Sequence, residues 1–176
     1  MKASDLKGLP VVTSSDENKV GTVDEVLLDQ QLQHVVGFRI KRGLLGPHAR
    51  VRRDAVSAID ANGMRVPDSS SLKDEDAGAE TDGVVPFDHA KGTHVTTESG
   101  TALGTIGDIH LDIDARQVIA YTLTGSLGDR LKDAEPSILA EYALRRDEGG
   151  TLIVADAADD EVNRPDWKNA QGYIER

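Results

Sequence analysis

The residues best suited to chemistry lie in one dense run. Arg39-Ile40-Lys41-Arg42-Gly43-Leu44-Leu45-Gly46-Pro47-His48-Ala49-Arg50-Val51-Arg52-Arg53 holds six Lys/Arg and no acid. Gly43, Gly46 and Pro47 make its centre a loop, with Leu44-Leu45 exposed at the tip. Such a strip can grip phosphate or an acidic protein surface, the leucines serving as apolar anchors. The plainer alternative is a solvated loop, or one neutralised by the chain's own acidic stretch. Arg39, Lys41, Arg42, Leu44, Leu45, Arg50, Arg52 and Arg53 are therefore the candidate partner-binding residues. Trp167, the one tryptophan, joins them. It lies in a polar tail and either docks on its own domain or anchors another chain.

Other chemistry finds little support. With no cysteine, disulfides, thiolate nucleophiles and Cys-ligated metals are excluded. His34, His48, His89, His94 and His110 are scattered, and the His89/His94 spacing does not suit a helical metal pair. Asp108, Asp112 and Asp114 lack the glycine-centred pattern of a calcium loop and read as turn carboxylates. Gly104-Thr105-Ile106-Gly107 has no following Gly-Lys-Ser/Thr, so it is not a phosphate loop. No G-x-S-x-G elbow occurs, and no nucleophile, base and oxyanion donor come together. The expectation is no enzyme, no metal and no cofactor.

The elements that must position the basic run follow from composition and repeat. Of 176 residues, 38% are hydrophobic and only 3% aromatic, so cores are filled by Val, Ile, Leu and Ala. No apolar run approaches the roughly 18 residues of a membrane helix. The start of the chain leads straight into strand-like sequence, and a cytoplasmic protein is expected. The net charge of −11 is uneven: residues 1–66 carry ten Lys/Arg against eight Asp/Glu, the remainder ten against twenty-three. The basic first third keeps nucleic acid open as a partner despite the acidic total.

Val20-Gly21-Thr22-Val23-Asp24-Glu25-Val26-Leu27-Leu28-Asp29 aligns with Leu103-Gly104-Thr105-Ile106-Gly107-Asp108-Ile109-His110-Leu111-Asp112 at an offset of 83. The same offset carries Val35-Val36-Gly37-Phe38-Arg39-Ile40 onto Val118-Ile119-Ala120-Tyr121-Thr122-Leu123, without a gap. Upstream, Lys7-Gly8 matches Lys91-Gly92. Gly21, Thr22 and Val23 oppose a helix, so Val20, Val23 and Val26 belong to a strand with a bulge near Gly21 and, by the repeat, near Gly104. Phe38 and Tyr121 should be equivalent buried residues, as should Val23 and Ile106, and Val26 and Ile109. Short strands separated by turn residues indicate an all-β sandwich or small barrel. Pro136 to Leu144 allows a short helix in the second copy.

The expected organisation is a first repeat at 1–68, an acidic Ser/Gly-rich linker at 69–88, a second repeat at 89–157 and a tail at 158–176. Each copy is small for a single core, so packing between repeats or a homodimer is expected.

Lys19 to Asp29, Val35-Val36-Gly37-Phe38, and Asp54-Ala55-Val56-Ser57-Ala58-Ile59 before Asn62-Gly63 resemble the PRC-barrel domain. That family includes the cytoplasmic domain of the photosynthetic reaction centre H subunit and the C-terminal domain of a ribosome maturation factor. The resemblance covers most of the first copy and the first half of the second, and departs at Ser126–Ala143. It implies two small β-barrels in tandem, used for assembly, with no common catalytic residues to carry over. Three functions follow as expectations: an adaptor binding a protein partner through barrel surfaces and the basic loop, an RNA- or ribosome-associated factor using the same loop, or an accessory factor of a membrane complex.

Overall fold

A computed structural model describes residues 1–75, 83–112, 114–125 and 136–162. Trp167, with the tail beyond residue 162 and the first part of the Ser126–Ala143 departure, lies outside the described residues. Two compact units divide the chain: Met1–His89 with Leu111–Val118, and Ala90–His110 with the chain from Ile119 on.

In the first unit, α1 (Ala3–Leu6) leads into β1 (Pro10–Thr13), β2 (Lys19–Asp29), β3 (Val35–Lys41) and β4 (His48–Arg52). A 3-10 turn at Arg53–Ala55 precedes β5 (Ala58–Asp60), β6 (Gly63–Val66), β7 (Lys73–Asp74) and β8 (Val84–Pro86). The sheet order is β5-β6-β1-β2-β3-β4-β7, and β8 pairs with the end of β2. After α2 (Phe87–Ala90), the second unit contributes β9 (His94–Thr97), β10 (Ala102–Leu111), β11 (Val118–Thr124) and β12 (Ser137–Leu139). A 3-10 turn at Ala140–Tyr142, β13 (Ala143–Arg146), β14 (Leu152–Val154) and α3 (Ala158–Glu161) complete it. Its order, β12-β11-β10-β9-β14-β13, is that of β4-β3-β2-β1-β6-β5, strand for strand. Both sheets close on one parallel pair, β1 with β6 and β9 with β14.

The likeness extends to single hydrogen bonds. Gly8 N–H donates to Val23 C=O at 2.7 Å, and Gly92 N–H to Ile106 C=O at 2.8 Å. Val23 N–H donates to Leu9 C=O and Ile106 N–H to Thr93 C=O, both at 2.9 Å. The Asp29 carboxylate accepts the N–H groups of Gln33 and His34; Asp112 accepts those of Arg116 and Gln117. Leu32 and Ala115, 83 apart, both take positive φ, at 59° and 49°. Val23, Val26 and Phe38 are buried, as are Ile106, Ile109 and Tyr121. The all-β, two-unit architecture expected from the pattern is therefore the fold observed.

The bulges fall where the glycines suggested. Val11 pairs with Gly21 and Val12 with Lys19, so Val20 is the extra residue. Thr96 pairs with Ala102 and Val95 with Gly104, so Leu103 is. A further irregularity at Asp24 lets Val23 and Val26 share the core face despite their spacing of three.

Four expectations are revised. Pro136 to Leu144 is strand, 3-10 turn and strand, not a short helix, because Ile138 sits in register opposite Tyr121 of β11 and is fully buried. The stretch 69–88 is not wholly a linker: Leu72, its one large apolar residue before Val84, is buried, and β7 and β8 add to the first sheet. The turn 111–118 belongs to the first unit, because Val35 N–H donates to Arg116 C=O and Val118 N–H to Gln33 C=O. The tail's start is also structured, with Ala158 and Val162 buried.

Candidate binding surface on the first unit

The basic run is a β-hairpin rather than a long loop. Period-two alternation sends Ile40, Ala49 and Val51 into the core, all at most 1% exposed, and turns Arg39, Lys41, Arg50 and Arg52 outward. Only residues 42–47 form the loop, where Leu44 is 85% and Leu45 96% exposed. Full exposure of two adjacent leucines has no role in this unit's own core.

The cations are largely engaged from within the chain. Glu75 accepts from Arg39 Nε at 2.9 Å and from Arg50 Nε at 2.7 Å. Burial alone pushes the Glu75 carboxyl up, but the hydrogen bonds from Arg50 and Arg39 outweigh it and hold it below the ordinary carboxylate value. Arg42 pairs with Asp74 on β7. Arg52 lies 3.4 Å from Asp54 with its side chain 85% exposed, an ion pair that contributes little in water. Among the described residues, Lys41 and Lys73 make no ion pair within 4 Å.

Arg53 leaves the surface set altogether. It is 5% exposed, and its guanidinium donates to Asp114 C=O, Ala115 C=O and, at 3.0 Å, Val56 C=O. Burial, then the charge of Arg116, lowers its pKa, yet an arginine remains charged at neutral pH. Sequence spacing gives no sign of this, since the side chain simply follows five other cations. Of the proposed set, Leu44 and Leu45 stay with Lys41 and Arg42 at the tip of the hairpin, whereas Arg52, opposite Gly37, lies at its other end. Arg39 and Arg50 are tied to Glu75, and Trp167 lies outside the described residues.

Asp112 is a turn carboxylate, as its two backbone donors show, and Asp108 accepts from Ile109 N–H. His110 is buried and bonded to Thr122 Oγ1 at 2.9 Å.

One acidic cluster was not apparent from sequence. Glu25, 4% exposed on β2, lies 3.5 Å from Lys7 Nζ, which also donates to Asp88 at 2.6 Å. Burial, reinforced by the hydrogen bond and charge of Asp88, raises the Glu25 pKa against the pull of Lys7. The folded state thus holds this proton at a pH where the unfolded chain has released it. The stability so gained is full below the unfolded carboxylate value and is lost as pH rises through the raised folded value. Glu25→Gln keeps the shape without the charge. Its melting temperature is expected to fall less than that of the wild type as pH rises from about 4 to about 7. Parallel melting curves for the two proteins would contradict this reading.

These features define a class: a small all-β module with a parallel closing strand pair, bulged second strand and projecting β3–β4 hairpin, its strand order repeated in the second unit. Residues 1–66 match the PRC-barrel domain, so the first unit is similar to that domain through the end of β6. No curated protein matches the chain. Among the described residues, no helix is long and apolar enough to cross a membrane.

Proposed function

We propose that this chain is a non-catalytic, cytoplasmic adaptor that binds a protein partner through the β3–β4 hairpin of its first unit. The observation carrying the reading is the exposure of Leu44 and Leu45 on a hairpin held rigid by Ile40, Ala49 and Val51. Apolar side chains offered on a fixed backbone bind at small entropic cost. Lys41, next to the loop and with no ion pair among the described residues, favours an acidic group on the partner's rim. RNA is the weaker reading, because Glu75 and Asp74 already neutralise Arg39, Arg50 and Arg42. A phosphate backbone would have to displace those carboxylates.

The test compares wild-type chain with Leu44→Ser/Leu45→Ser in capture from source cells, followed by affinity measurement against whatever protein or RNA is recovered. The double variant should lose more than about tenfold in affinity, as expected for anchors at the centre of an interface. Its melting temperature should be unchanged, since both side chains are exposed. A steep loss of wild-type binding between low and high salt, with the leucine changes silent, would instead select RNA.

A further inference from the structure

A cavity of about 440 Å³ opens on the first unit's sheet, on the face away from the core. Its position follows from register. Val26, Phe38 and Val51 oppose one another and are at most 1% exposed, so Leu27, Gly37 and Arg52, opposed one step along, stand on the other face. The irregularity between Leu27 and Leu28 leaves Val36 without a partner on β2, and Val36 is 38% exposed there. Leu27, Val36, Ala55 and Val84 line the floor, while Arg50, Arg52 and Lys73 supply the charge. Arg50 is held by Glu75, whereas Arg52 has only its exposed Asp54 contact and Lys73 has no ion pair among the described residues. All the lining residues belong to the first unit.

Apolar walls with a few charges at one margin are the ordinary make-up of a small-molecule site, and the volume falls within the usual range of roughly 300–1,000 Å³. Ser71 is the one uncharged polar side chain in the lining, too little to satisfy the several hydroxyls of a sugar or the edge of a base. The charge offered is positive only, at Arg52 and Lys73. We propose that this cavity binds an aliphatic carboxylate of medium chain length, its chain on Leu27, Val36 and Val84 and its carboxylate between Arg52 and Lys73. The site is separate from the Leu44-Leu45 tip, so the two readings stand or fall independently.

The test titrates the full chain with decanoate below its micelle concentration, following valine and leucine methyl NMR shifts, with decanol and decyltrimethylammonium as comparison probes. The expected result is saturable decanoate shifts at Leu27, Val36 and Val84, with decanol at least about tenfold weaker and the cation without effect. Arg52→Glu/Lys73→Glu, both exposed, should weaken decanoate about tenfold or more and leave decanol unchanged. Val36→Trp should fill the cavity and remove binding. The proposal is overturned by an absence of saturable shifts, by decanol binding as tightly as decanoate, by shifts centred on Leu44 and Leu45, or by an indifferent charge-reversal variant. The last of these decides the matter even if Val36→Trp does not fold.

Discussion

Gly104→Ala should cost the second unit about 2–4 kcal/mol, more than any other single methyl added to a glycine discussed here. Two penalties coincide at this residue. Its φ is +131°, a backbone state that L side chains rarely adopt, and a Cβ would lie 2.6 Å from the Thr124 carbonyl oxygen on β11. Either β10 leaves its bulged path or it separates from β11. Gly21, its counterpart in the repeat, isolates one of the two terms. Its φ is not positive, but a Cβ there would meet Ile40 Cγ2 and Lys41 O, both at 2.7 Å. Gly21→Ala should therefore cost about 1–3 kcal/mol from overpacking alone. Gly100 isolates the other: its φ is +95° with nothing within 4 Å of the added carbon. Gly100→Ala should cost about 1 kcal/mol. Denaturant unfolding of the three variants, with amide exchange locating each loss, ranks Gly104 first. Equal effects at Gly104 and Gly100 would show that the approach of Thr124 is not a constraint.

These same glycines show what could be read beforehand. The bulges were legible because a glycine beside β-branched residues at an apolar spacing of three admits few strand geometries, and the repeat supplied a second instance. That both glycines would need positive φ was not legible, and only Gly104 does; Gly21 is required by the closeness of β3 instead. The hairpin was half legible. Alternation in Arg50-Val51-Arg52 marks a strand, but the density of charge conceals it. The destination of the charges could not be read, because it depends on pairing between segments far apart in sequence. Glu75 reaches Arg39 and Arg50 only once β7 has joined β4. Its one signal was Leu72, an apolar residue in a polar run that anchors the segment. The cavity was invisible for the same reason: Val36 looks like a core valine until the register of β2 and β3 leaves it unpaired.

Arg53→Met should destabilise the first unit by about 3 kcal/mol or more, while leaving the hairpin tip intact. The guanidinium is buried and serves three carbonyls: Asp114 and Ala115 from the turn 112–117, and Val56 beyond the 3-10 turn. Methionine fills similar volume but supplies no donor, so the carbonyls of the buried residues Val56 and Ala115 would lose their partner. Hydrogen bonds from a charged group contribute about 1.5–3 kcal/mol each, and an acceptor left buried and unpaired costs about 1–3. Arg53→Lys should not restore the loss, since a single ammonium cannot span the carbonyls that a planar fork reaches. The local signature is exchange of the Val35 and Val118 amides. These bond to Arg116 C=O and Gln33 C=O and depend on the turn that Arg53 holds. The corresponding place in the 3-10 turn of the second unit is Ala140, which has no side-chain donor to offer, so the clamp is not repeated at that position. Had Arg53 been a surface contact, as its neighbours in sequence suggested, Arg53→Met would leave the melting temperature unmoved and reduce partner affinity. Loss of stability with faster exchange at Val35 and Val118, and partner affinity retained under folding conditions, is the outcome expected here.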